Sequence, residues 1–377
     1  MSHGVRLLQL GGLAGILFAT SCGGGGGGGG GTPVIDLAVA GRDSDTVGIW
    51  YDALNAGNSG LADVVLDGPG SGIDKPFCVE IADNRLFVGS HDNDTVTIYG
   101  PFDTLVDGQA PSVVLDLSNS QVDRPMDLLV HDGDLFVASR DQNRVLLFRD
   151  HATLASLDAP DVVLDTADSG VDQPWSLAIH GNTLFVACRG SNQVLGFADV
   201  DTLVTGATPD IVLGASSGIF DPGWLTVDGN TLYVSEFDGE DVSAFGPIPT
   251  LVSGQVPLWT LGGPSLLDQP RRAVVAGNRV WIANRFDADV GADDFGLFAF
   301  ETPVTTAQSP DVRLSTPFEE VHDLVGAGGY VWGASVQFDY AFVITDPATR
   351  ATGENTPTYS YFDPRIQQAH AVFARVR

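Results

Sequence analysis

Two histidines, His322 and His370, occupy equivalent positions in a repeated segment; Asp323 stands beside the first, with Glu319 and Glu320 just upstream. Two imidazoles and a carboxylate form a transition-metal ligand set, or an acid and a base that work near neutral pH. His322, Asp323 and His370 are therefore the candidate catalytic residues; the competing reading is that the histidines cap strands. A second group lies in NRFDADVGADDFG, residues 284–296, where Asp287, Asp289, Asp293 and Asp294 surround Gly291. Alternating carboxylates about a glycine can wrap Ca²⁺, which takes six to eight oxygens. These four are the expected metal ligands and Ca²⁺ the one cofactor suggested. The loop departs from an EF-hand in having Gly291 at the usual third ligand position and no Glu at the twelfth, so a solvated acidic loop is the alternative.

The third group is basic and aromatic. Arg42, His91, Arg140, Arg189 and Arg285 recur at one loop position, and Arg271 and Arg272 begin a strand. Guanidinium groups form forked bonds to carboxylates. Phe77, Met126, Trp175 and Trp224 recur near the starts of other strands and offer faces for stacking on a sugar or apolar ligand. The expected ligand-binding residues are Arg42, Arg140, Arg189, Arg271, Arg272, Arg285, Trp175 and Trp224. The alternatives are pairing with the neighbouring Asp43, Asp92 and Asp141, and a simple aromatic plug. Gly214–Gly218 matches G-x-S-x-G, but a nucleophile elbow needs strand, turn and helix, and no helix is expected there. Zinc-protease, phosphate-loop and dinucleotide motifs are absent.

The elements that must position these residues repeat. Pro76, Pro125, Pro174, Pro222 and Pro270 follow one another at 49, 49, 48 and 48 residues, and Val321 and Ala369 continue the series at 51 and 48. A period near 50 indicates a propeller or solenoid. Each repeat holds four short runs rich in Val, Leu, Ile and Phe, as in MDLLV, DLFVAS, RVLLF and DVVLD. Pairs such as Asp83-Asn84, Asp132-Gly133 and Gly328-Gly329 join the first two runs and suit two-residue hairpins. Four antiparallel strands per repeat make a propeller blade. Six complete repeats are present, and VIDLAVAG (34–41) begins at a second strand. HAVFARVR (370–377) supplies the missing first strand, which makes seven blades and closes the ring. The fold expected over residues 34–377 is thus an all-β, seven-bladed β-propeller.

LFVASRDQNRVLLF and LFVACRGSNQVLGF, with the PDVVLD and PDIVLG runs that follow, resemble the NHL and YVTN propeller families. The resemblance covers residues 34–377. It implies protein-binding platforms, ligand sensors, or lactonases and lyases. In such propellers the loop between the second and third strands shares a face with the start of the first strand, so the basic and aromatic groups would meet on one rim. The polar inserts GRDSDT, SHDNDT, SRDQNR, CRGSNQ, EFDGED and SVQFDY sit in that loop, and six varied copies read as turns rather than as active sites.

The amino-terminal stretch MSHGVRLLQLGGLAGILFATSC has Arg6 before an apolar run too short to span a bilayer. Ala19-Thr20-Ser21-Cys22 resembles a bacterial lipobox, which implies a signal peptide over 1–21 and acylation of Cys22. Gly23–Gly31 then form part of a tether over 22–33, with a reach of roughly 15–20 Å. Gly23 after the cysteine implies the outer membrane. Cys78 and Cys188 are expected as buried free thiols on non-adjacent blades. The formal charge of −30, with Lys75 the only lysine, opposes nucleic-acid binding. The combined expectation is an extracytoplasmic, lipid-anchored, monomeric binding or scaffold propeller for a protein, glycan or small anion, with a metal-assisted lactonase or lyase as the alternative.

Overall fold

A computed structural model describes residues 33–56, 60–116, 123–262, 267–284, 296–306, 308–314, 321–335, 339–352 and 357–376. They form seven four-stranded antiparallel sheets. The inner strands are Pro76–Ala82, Pro125–His131, Pro174–His180, Pro222–Asp228, Pro270–Ala276, Val321–Ala327 and Ala369–Val376. Every inner strand therefore starts at its sequence anchor. The last belongs to the amino-terminal blade, blade 1, where it pairs with Ile35–Gly41 from Ile35↔Val376 to Gly41↔Ala369. Blades 2 to 7 follow in chain order, and the ring closes as expected.

The middle strands are apolar on both faces because a blade is covered on both sides. Phe136 and Ala138 of blade 3 share a core with Leu184 and Val186 of blade 4. Trp332 and Tyr361 of blade 7 share one with Leu37, Val39 and Val372 of blade 1, so closure is a packed interface. Cys78 and Cys188 are free and buried. The hairpin turns use left-handed backbone at Asp83 and Asn84 (φ 47° and 58°), as the Asp-Asn pair permits.

The polar inserts work as turns, and side chains of five of them also reach the next blade. Asp45 accepts a hydrogen bond from the Lys75 amide at 2.9 Å, Asp94 from Arg124 at 3.0 Å and Asn143 from Gln173 at 2.9 Å. Asn192 holds the Asp221 amide at 2.8 Å, and Asp339 holds Gln368 at 2.6 Å across the closure. The receiving residue directly precedes the anchor and is left-handed, with φ from 45° at Lys75 to 57° at Arg124. The Gly214–Gly218 segment is a 3-10 turn over Ala215–Ser217 between blades, without the helix an elbow requires.

Candidate functional site

Immediately after each anchor the inner strand of blades 1 to 7 bulges, with the register jumping from Pro76↔Ser90 to Cys78↔Gly89 in blade 2 and likewise around the ring. A bulge leaves one residue out of the ladder and re-aims its side chain. Phe77, Met126, Trp175, His322 and His370 are such residues, and they gather at the channel mouth. His322 and His370 lie with ring centroids 4.6 Å apart, and Phe77 packs 4.2 Å from His370. Phe77 also stacks on His91 at 5.9 Å and meets Trp175 edge-on at 6.3 Å. Trp175 in turn lies 5.8 Å from Trp224.

The arginines join this arc by stacking. The Arg140 guanidinium lies 5.1 Å from the Trp175 ring centroid. Arg189 lies between Trp175 at 4.4 Å and Phe237 at 4.8 Å. Arg271 lies between Phe237 at 4.6 Å and Trp224 at 4.5 Å. The electron-rich ring faces attract the cations, which are more weakly hydrated than an ammonium group. Phe237 occupies the loop position filled by Arg42, His91, Arg140 and Arg189 in other blades. Its backbone bonds the residue before its own anchor, Asp221, at 2.9 Å, just as the Arg189 amide bonds Gln173 at 3.2 Å.

Of the carboxylates weighed in the sequence as partners, Asp92 and Asp141 form ion pairs and Asp43 forms none among the described residues; Asp221, not foreseen, forms another. Arg189 grips Asp221 of the next blade through Nε at 2.7 Å and Nη2 at 2.6 Å. Asp92 takes both Lys75 and His91, and these contacts hold its carboxyl down at about 2. Arg140 stands 3.6 Å from Asp141. Arg42 lies on the same loop face without an ion pair among the described residues. Arg285, Asp287, Asp289, Asp293 and Asp294, together with Glu319 and Glu320, lie outside the described residues.

Arg272 does not share the rim with Arg271. It points down the channel, 3.3 Å from Asp323 and 3.8 Å from Asp127. These three stand at one level, two residues past their anchors. Asp127 also accepts from Ser176 Oγ at 2.9 Å and from the Leu177 amide at 2.8 Å. Asp323 accepts from Leu324 at 3.0 Å and from Val372 at 3.3 Å. Inner strands are sheet edges, and their lumen-facing amides need acceptors; the acids of the preceding blade provide them. Burial pushes Asp323 up to about 6 against the pull of Arg272. One level deeper, Glu80 accepts from the Val130 amide at 3.1 Å, and burial raises it to about 8. A cavity of about 830 Å³ runs through the channel past Phe77, Glu80, Asp127, Arg272, Asp323 and His370.

His322 and His370 are thus brought together, while Asp323 is turned inward to Arg272. Among the described residues no three His, Cys, Asp or Glu side chains form a metal-ligating group. Sequence reasoning missed Phe237 and Glu80. Both depart from their repeat column: Phe237 stands in one held by Arg42, His91, Arg140, Arg189 and Arg285 in other blades, with Val336 the other departure, and Glu80 in one otherwise filled by Leu129, Ala178, Thr226, Val274, Val325 and Phe373.

No protein-family model and no curated protein matches the chain. Solved structures similar to it share the propeller fold at low identity. A candidate 6-phosphogluconolactonase from Bacteroides fragilis superposes with TM-score 0.61 at 12% identity, covering 91% of this chain and 98% of that one. A protein from Lactobacillus plantarum gives 0.61 at 13%, covering 91% and 99%. Virginiamycin B lyase from Staphylococcus aureus gives 0.53 at 12%, covering 80% and 91%. At these identities the likeness defines the class, a seven-bladed β-propeller, and leaves function to the site.

Proposed function

We propose that this chain is a binding propeller of the NHL/YVTN kind, held outside the cytoplasm by an acylated Cys22, that captures an acidic saccharide at its channel mouth. The observation that carries this reading is the stack Arg140–Trp175–Arg189–Phe237–Arg271–Trp224. Aromatic faces suit the apolar face of a sugar ring, and the guanidinium groups suit its carboxylate. Titration of the intrinsic tryptophan fluorescence with tri-galacturonate tests it. Saturable quenching is expected, lost in Trp175→Ala and weakened about tenfold in Arg271→Gln. Equal response to neutral galactotriose, or none to either sugar, would overturn it.

A lactone hydrolase is the second reading. It is favoured by the adjacent imidazoles of His322 and His370 and by the raised carboxyl of Asp323. The Asp323 oxygens are, however, engaged by two backbone amides and Arg272, which suits a structural acceptor better than a base. Turnover of a sugar lactone, abolished by His322→Ala, would establish this reading instead.

A further inference from the structure

We propose that the channel below the mouth is a second binding site, for a small cationic amphiphile whose ammonium group rests against Glu80 and whose apolar body lies along the channel wall. Glu80 is 5% exposed, and only one of its carboxyl oxygens is bonded, Oε1 to the Val130 amide. Among the described residues Oε2 has no hydrogen-bond partner, and Glu80 lines the cavity. Oε2 is not sealed from the cavity, so a cation there can reach it, and a carboxylate this deep in the protein gains most from such a partner.

The charges around Glu80 specify the sign of the ligand. Asp127 and Asp323 face the lumen against one guanidinium, Arg272, so this level is already one positive charge short before Glu80 is counted. Cys78 is the other titratable group close by, and burial keeps it a thiol. With no ligand Glu80 holds its proton near neutrality, since burial raises it to about 8. An ammonium ion would take the place of that proton: Glu–COOH and R–NH₃⁺ become Glu–COO⁻·R–NH₃⁺ with one proton released.

The wall and the entrance agree with this ligand class. Leu129, Leu177 and Val325 line the channel beside Glu80. The end away from the mouth is edged by Asp83, Asp132 and His131 on one side and by Asp228 on the other, while Arg375, which also lines it, is held by Asp36 and Asp103 at 2.6 and 2.8 Å. That end attracts cations, whereas the opposite mouth collects guanidinium groups. The site is independent of the acidic-saccharide reading, which uses the other face.

Titration calorimetry of the full chain with n-hexylamine at pH 7, in phosphate and in Tris buffer, tests the proposal. Hexylamine should bind at least tenfold more tightly than hexanoate or hexanol and release close to one proton. Glu80→Gln, which keeps the bond to Val130, should weaken hexylamine at least tenfold and abolish proton release. Leu129→Trp, which narrows the channel and leaves Glu80 in place, should also weaken it. Absence of hexylamine binding, binding unchanged in both variants, or hexanoate binding as tightly as hexylamine would overturn the site.

Discussion

At the scale of single residues, the channel carboxyls carry the clearest consequences. Glu80 is raised from 4.5 to about 8 by burial, so between those values the folded protein keeps a proton that the unfolded chain releases. Its contribution to stability is therefore lost as pH rises through that window. Urea midpoints should fall between pH 4.5 and 8 in the native protein, and this part of the slope should vanish in Glu80→Gln. At pH 8 and above the variant should be the more stable, by on the order of 1–3 kcal/mol. A native slope unchanged by the substitution would contradict the burial argument. Arg189 supports a second prediction. Its fork on Asp221 and its place between two rings need a planar guanidinium, so Arg189→Lys should cost about 1–2 kcal/mol in chemical denaturation. A cost near zero would show that this stack contributes little to holding blades 4 and 5 together.

At the scale of elements, the inserts answer what an Asp- or Asn-bearing turn is for. Asn143 combines a left-handed backbone (φ 54°) with an inter-blade acceptor. Asn143→Asp should be nearly neutral, since Asp fills this role at Asp45, Asp94 and Asp339. Asn143→Ala loses the bond and strains the turn, and should cost about 1–2 kcal/mol by urea denaturation. The turn was legible in the sequence from its polarity and repetition. The latch was not, because it joins residues thirty apart whose meeting depends on blade geometry. The placement of Arg272 was hidden for a related reason. Arg271 and Arg272 are neighbours in sequence, but the bulge at this strand start sends one to the mouth and the other down the channel. Phe237 and Glu80 left a trace, each a departure from its repeat column, that becomes chemically meaningful only once the columns are known to be levels of one channel.

At the scale of the molecule, the period of the anchors was enough to read seven blades and the closure, because each blade repeats one solution to packing on both sides. Removing residues 369–377 leaves the Ile35–Gly41 strand without its partner and opens the core shared by blades 7 and 1. The near-UV circular dichroism of the whole ring should be lost in that truncation, rather than that of one blade. Retention of native signal would show that closure is dispensable. At the mouth the chain gathers cations and aromatic faces on an otherwise acidic molecule. Calorimetric titration with tri-galacturonate and galactotriose at low and moderate salt tests the acidic-saccharide reading most directly. The acidic sugar should be preferred by at least tenfold, with the preference weakening as salt rises and reduced in Arg271→Gln. Equal affinity for the two sugars, or acid binding unaffected by that substitution, would contradict it.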